Sequence, residues 1–185
     1  MPRQVYDFEP PERFVAGTVG PPGERTFFLQ ARGGGRLVSV VLEKVQVSLL
    51  ADKLEELLTE AANRFGVEVP PVTPELIDND PLDTPLDEEF RVGTLGLAWD
   101  PESQTVIIEA IAASDRIIDP EEDTLDEIDD EDLDRLRVRL TPRQTRAFID
   151  RARRVLSAGR PPCPLCGLPL DPRGHLCPRH NGYRR

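Results

Sequence analysis

Residues 163–180 hold all three cysteines and both histidines of the 185-residue chain, and that concentration limits what its C-terminal end can fold into. The run Cys163-Pro164-Leu165-Cys166-Gly167 is answered by Cys177-Pro178-Arg179-His180-Asn181-Gly182. A Cys-x-x-Cys turn offers two thiolates from one tight bend, and zinc favours four thiolate or imidazole ligands in a tetrahedron. Gly167 stands where a left-handed backbone turns N–H groups toward sulfur. The spacing assigns Cys163, Cys166, Cys177 and His180 as the ligands, with ten residues between the two halves of the site. His175 is the alternative fourth ligand; His180 is preferred because it repeats the spacing of the first pair, whereas His175 is only two residues from Cys177. Four protein ligands leave no position for water, so the zinc is expected to be structural. The sequence shows neither an export signal nor a run of about 18 apolar residues, which predicts a cytoplasmic protein without a membrane span and favours metal over disulfides.

The remaining chain is long enough for one core, which sets the expected division at a body over 1–160 and a zinc ribbon over 161–185. After a proline-rich start expected to lie flat on the surface, Arg13 to Val19, Thr26 to Gln30 and Leu37 to Leu42 read as strands of a meander. Gly33-Gly34-Gly35 is a hairpin turn, since it lacks the strand-to-helix context of a nucleotide loop. Ser48 offers an N-cap to an amphipathic helix in which Leu50, Leu54, Leu57, Leu58, Ala61 and Phe65 share a face, closed by Gly66. Val67 to Glu89 brings five prolines and eight acidic residues without periodicity, which predicts a linker.

A second pass of the same pattern follows. Phe90-Arg91-Val92-Gly93-Thr94-Leu95-Gly96 echoes Phe14-Val15-Ala16-Gly17-Thr18-Val19-Gly20, with four of seven positions identical. Gln104 to Ala112 is a strand, and Leu136, Val138 and Leu140 alternate with Arg135, Arg137 and Arg139. Thr141-Pro142-Arg143-Gln144 is a capping box that opens a second helix, ended by Gly159. The expected fold is therefore α+β: a strand-strand-strand-helix unit occurring twice, forming one antiparallel sheet backed by two helices, plus the small ribbon.

Charge is distributed in blocks. Residues 1–114 carry 9 basic and 20 acidic groups, residues 115–134 carry 1 and 12, and residues 135–185 carry 13 and 2. A net charge of −11 opposes nonspecific nucleic-acid binding by the whole chain. The basic C-terminal quarter keeps that option open locally: Arg135, Arg137, Arg139, Arg143, Arg146, Arg153, Arg154 and Arg179 are candidate phosphate or acidic-partner contacts. The acidic segment 115–134 has the charge to act as their intramolecular counterion or as a solubilising loop. No nucleophile-base pair, paired carboxylates or phosphate loop stands out; Glu109 reads as an edge or solvent-facing residue rather than a site carboxylate, and Trp99 as core or turn packing rather than a stacking platform.

The segment Arg-Gln-Val-Tyr-Asp-Phe at residues 3–8, the Phe-x-x-Gly-Thr strands and the Cys-Pro-Leu-Cys-Gly and Cys-Pro-Arg-His-Asn-Gly-Tyr end together resemble the actinobacterial domain-of-unknown-function 3090 family over essentially the whole chain. The resemblance implies a protein partner and carries no reaction. The first expectation is a non-enzymatic zinc-ribbon adaptor docking on a protein partner. Nucleic-acid binding by the ribbon and the arginine face, restrained by the acidic segment, is the second, and an enzyme using the sheet face is the third. Exposed leucines on the ribbon would favour the first, stripes of aromatic residues the second.

Overall fold

A computed structural model describes residues 2–114, 132–170 and 174–179. Its elements are β1 (Val5–Phe8), β2 (Arg13–Val19), β3 (Thr26–Gly33), β4 (Arg36–Leu42), α1 (Lys44–Phe65), β5 (Glu88–Asp100), β6 (Thr105–Ala112), β7 (Arg135–Leu140) and α2 (Pro142–Ser157), with a 3-10 turn at Pro74–Leu76. The strands form one seven-stranded sheet in the order β1-β7-β6-β5-β4-β3-β2. The α+β architecture with two helices against a sheet is as expected from the sequence, but the sheet is mixed. β4 and β5 run parallel because α1 carries the chain back before β5 begins, and β1 runs parallel to β7. Among the described residues no helix is long and apolar enough to cross a membrane.

One face of the sheet and both helices share the core. Phe14, Leu29, Val40, Val106, Ile108, Leu136 and Val138 meet Leu50, Leu54 and Leu58 of α1 and Phe148, Ile149 and Ala152 of α2. Phe14 stacks on Phe148 with ring centroids 4.7 Å apart, tying β2 to α2. The sheet curls until the β3–β4 turn reaches β1, where Arg36 donates to Asp7 O at 2.7 Å and lies over the Phe8 ring.

β5 is the joint of the sheet. Its first residues pair with β4 at Glu88 and Arg91, and its later residues, from Val92 to Asp100, pair with β6. A bulge between Val92 and Thr94 marks the change, the usual way a strand turns a corner. Gly93 sits in that bulge, where a Cβ would fall 2.7 Å from Ala113 Cα. Gly17, its counterpart in the echoed segment, faces Leu82, whose Cδ2 would be 2.5 Å from an added Cβ.

Several boundaries move. The N-terminal stretch is not flat on the surface: Phe8 is 3 % exposed and β1 is a strand, too short for periodicity to reveal. α1 starts at Lys44, not after Ser48, because Glu43 and Gln46 form a reciprocal capping box that a search for serine or threonine misses. It closes as expected at Gly66, with φ 63°. α2 opens on the Thr141–Gln144 box and its last turn is capped from outside, where Arg25 donates to Val155 O at 2.8 Å.

The proline-rich linker is ordered by packing. It crosses the outer face of β2, β3 and β4 and is fastened there by Gln30, which exchanges hydrogen bonds with the Asp83 N–H and C=O at 2.7 and 3.0 Å. Arg13 holds Asp78 and Asp83, and Arg151 of α2 reaches Ala16 O at 2.9 Å and Asp78 Oδ1 at 2.8 Å. Asp78 consequently keeps its charge well below the usual carboxylate range, chiefly through the Arg13 hydrogen bonds. Most of the acidic segment, residues 115–131, lies outside the described residues; Asp134 Oδ1 accepts the Gln4 N–H at 2.7 Å and so aligns β1 with β7.

Candidate metal centre

The C-terminal ribbon is built by backbone hydrogen bonds that need little sequence. Pro162 pairs with Pro169 in an antiparallel bridge, Cys163 N–H donates to Leu168 O at 2.7 Å, and Gly167 N–H donates to Cys163 O at 2.8 Å. Gly167 adopts φ 75°, the left-handed conformation its position predicted. The turn directs the N–H groups of Cys166 and Leu165 at the Cys163 sulfur, and these hydrogen bonds, that of Cys166 first, pull the Cys163 thiol down to about 6. Burial pushes the Cys166 thiol up.

Cys163, Cys166, His175 and Cys177 bring one donor atom each to a common point, all within 4.8 Å of one another. Cys163 Sγ and Cys177 Sγ are 3.9 Å apart, and Cys166 Sγ and His175 Nε2 are 3.3 Å apart. Zinc–sulfur and zinc–nitrogen bonds set at tetrahedral angles give edges of about 3.8 and 3.6 Å. All three cysteines are free, and 3.9 Å is far beyond a disulfide bond of about 2 Å. The donor set therefore fits a four-coordinate metal ion.

The fourth donor in this cluster is His175. His180, which the spacing favoured, lies outside the described residues. His175 and Cys177, two residues apart, each bring a donor atom to the cluster. Leu176, between them, is 86 % exposed.

The candidate phosphate contacts are divided by the sheet. Arg135, Arg137 and Arg139 project from the outer face of β7, while its Leu136, Val138 and Leu140 face the core. Arg137 pairs with Glu109 at 2.6 Å and Arg135 with the same carboxylate at 3.6 Å. Arg139 pairs with Asp100 at 2.7 Å and Glu9 at 3.4 Å. On α2, across the sheet, Arg146 and Arg153 share Glu55 of α1, Arg154 holds Asp150 and Asn79, and Arg143 donates to Thr73 Oγ1. Arg179 is exposed beside Cys177. The sequence gives the number of arginines but not their pairing, which depends on carboxylates up to 130 residues away. Glu109, read as an edge or solvent-facing residue, is instead the acceptor at the centre of the β7 row, and Trp99 packs on Phe65 at 6.5 Å between centroids.

Neither the curated proteins nor the solved structures include a match to this chain. A family profile does match it, over residues 6–177, from β1 through the last cysteine of the metal cluster. The chain belongs to the family described as protein of unknown function (DUF3090).

Proposed function

We propose that this is a non-enzymatic binding protein in which an α+β body, residues 1–160, carries a structural zinc ribbon, residues 161–185, that docks on a protein partner. The observation that carries the reading is the surface around the cysteine–histidine cluster. Leu165, Leu168 and Leu176 are 52, 50 and 86 % exposed. A ribbon of this size has no core of its own beyond the metal, and apolar side chains held outward on it mark a contact surface. Cys163, Cys166, Cys177 and His175 hold the zinc in this reading, and the ion serves to fix the turn that presents the leucines. A reducing cytoplasmic setting keeps the thiols available. The two meander–helix halves are, in the same reading, copies of one unit.

The alternative, nucleic-acid binding, draws less support because the arginines it requires on β7 and α2 are largely committed to carboxylates of the chain itself. A surface whose cations are already paired releases few counterions on meeting phosphate. The test is cross-linking of the zinc-loaded full chain, followed by direct binding to the purified cross-linked protein. The Leu165→Ser, Leu168→Ser, Leu176→Ser triple variant should keep its zinc and lose that binding. Undiminished binding by the triple variant contradicts the reading, as does tight RNA or DNA binding that weakens steeply with salt.

A further inference from the structure

The second half of β5 is a strand with one edge open. β6 covers one side from Val92 to Asp100, but β4 stops at the Val41–Arg91 pairing and the chain departs into α1. Gln46 of α1 donates to Val92 O at 3.2 Å, and no described residue bonds to the backbone of this edge beyond that point. Every second residue between Thr94 and Asp100 therefore turns an N–H and a C=O toward no described strand. Buried or half-buried backbone groups require partners, and open edges invite added strands.

The other two edges of the sheet are blunted, and among the described residues this one is not. β1 is four residues long and is followed by Pro10 and Pro11. β2 has Ala16 O taken by Arg151 and the linker fastened across it. The open run Thr94-Leu95-Gly96-Leu97-Ala98-Trp99 has no charge and no proline. Trp99, at its end, has a buried indole N–H without an acceptor among the described residues.

A groove flanks this edge on the helix side of the sheet. Toward the helices, Leu95 and Leu97 of β5 face Leu49, Leu50 and Lys53 of α1 across about 330 Å³. On the outer face, a space of about 350 Å³ over Gly96 and Ala98 extends across β6 and β7 to Ile107, Glu109, Arg137 and Arg139, away from the open edge. A strand laid along β5 alternates its side chains between the two faces, so one set enters the helix-side groove and the other lies beside Gly96 and Ala98. Lys53 is the one charged residue of the helix-side groove; its pair with Glu56 is exposed on both sides and weak, which leaves the ammonium able to exchange it for another carboxylate. A second copy of the chain is a poor occupant, since each copy carries −11.

We propose that the open edge of β5 binds an extended segment of a partner protein by strand addition, the segment being apolar at every second residue and carrying a carboxylate that meets Lys53. The site is separate from the ribbon, and gives an adaptor its second docking surface.

The probe is an acetylated heptapeptide of alternating valine and threonine ending in glutamate, titrated into the zinc-loaded full chain. Labelled-peptide anisotropy and the emission of Trp99, the only tryptophan, report binding. Saturable binding is expected, about tenfold weaker when the terminal glutamate is lysine or Lys53 is changed to Glu. N-methylation of the amides along one edge of the peptide should abolish it. Leu95→Lys should do the same, and Leu49→Glu, at a position already 54 % exposed, repeats the test without disturbing the sheet. Cys163→Ser should leave the affinity within about twofold, separating this edge from the ribbon. Absence of saturable binding, unchanged binding of the N-methylated peptide, or sedimentation as a dimer that Leu95→Lys dissociates each overturns the proposal.

Discussion

Gly17→Ala tests how the linker is held against the sheet. The added Cβ would lie 2.5 Å from Leu82 Cδ2 and 2.6 Å from Leu82 Cγ. Carbon atoms settle at about 3.5–4.0 Å, so Leu82 must retreat by roughly 1 Å or more. Its neighbour Asp83 resists, being fixed to Gln30 through both its N–H and its C=O. Overpacking of this kind costs about 1–3 kcal/mol, against a gain of about 0.5–1 kcal/mol for replacing a strand glycine by alanine. The expected net loss is about 1–2 kcal/mol. Leu82→Ala removes a half-buried side chain, and at about 0.8 kcal/mol per fully buried methylene it costs roughly 1 kcal/mol. The double variant has no obstruction, and so should be no less stable than Leu82→Ala alone. Urea unfolding of all four proteins, followed by far-ultraviolet circular dichroism, gives the cycle. Effects that add within about 0.5 kcal/mol would refute the contact and with it the seating of the linker.

Other consequences follow from the same network. Arg151→Leu uncaps Ala16 O and removes one of the two guanidinium groups on Asp78; with Arg13 still present, a loss of about 2 kcal/mol and faster proteolysis within residues 67–87 are expected. Asp78 has a lowered folded pKa, so its contribution is complete above the unfolded carboxylate value of about 4 and is lost as pH falls through the folded value. Asp78→Asn should therefore flatten the fall of Tm between about pH 4 and 2, and an unchanged acid slope would remove Asp78 from the account.

What the sequence discloses depends on how local the cause is. The Thr141–Gln144 box, the Gly66 cap, the β2–β3–β4 meander and the Leu136–Val138–Leu140 alternation are written within a few residues, and each is found where its pattern stands. β1 has no such pattern: it is a strand because Asp134 and Arg135, far along the chain, accept and donate to Gln4. The parallel β4–β5 step is equally non-local, since the hydrophobic period of a strand says nothing about the direction of its neighbour. At the metal centre the three cysteines are evident from spacing, but the choice of histidine is not: the repeated Cys-x-x spacing favours His180, whereas the described cluster holds His175. The arginines show the opposite limit. Their abundance reads as a binding face, whereas most of those on β7 and α2 are held by carboxylates from distant segments.

The most direct test of the central claim is the zinc content of the full chain after dialysis against a chelator, for the natural sequence and for Cys177→Ala, His175→Ala and His180→Ala. Retention of one zinc per chain by the natural sequence and by His180→Ala, with loss from Cys177→Ala and His175→Ala, is the predicted result. A natural chain that retains no zinc, or a His175→Ala variant that keeps its zinc while His180→Ala loses it, would contradict the site built here from Cys163, Cys166, His175 and Cys177.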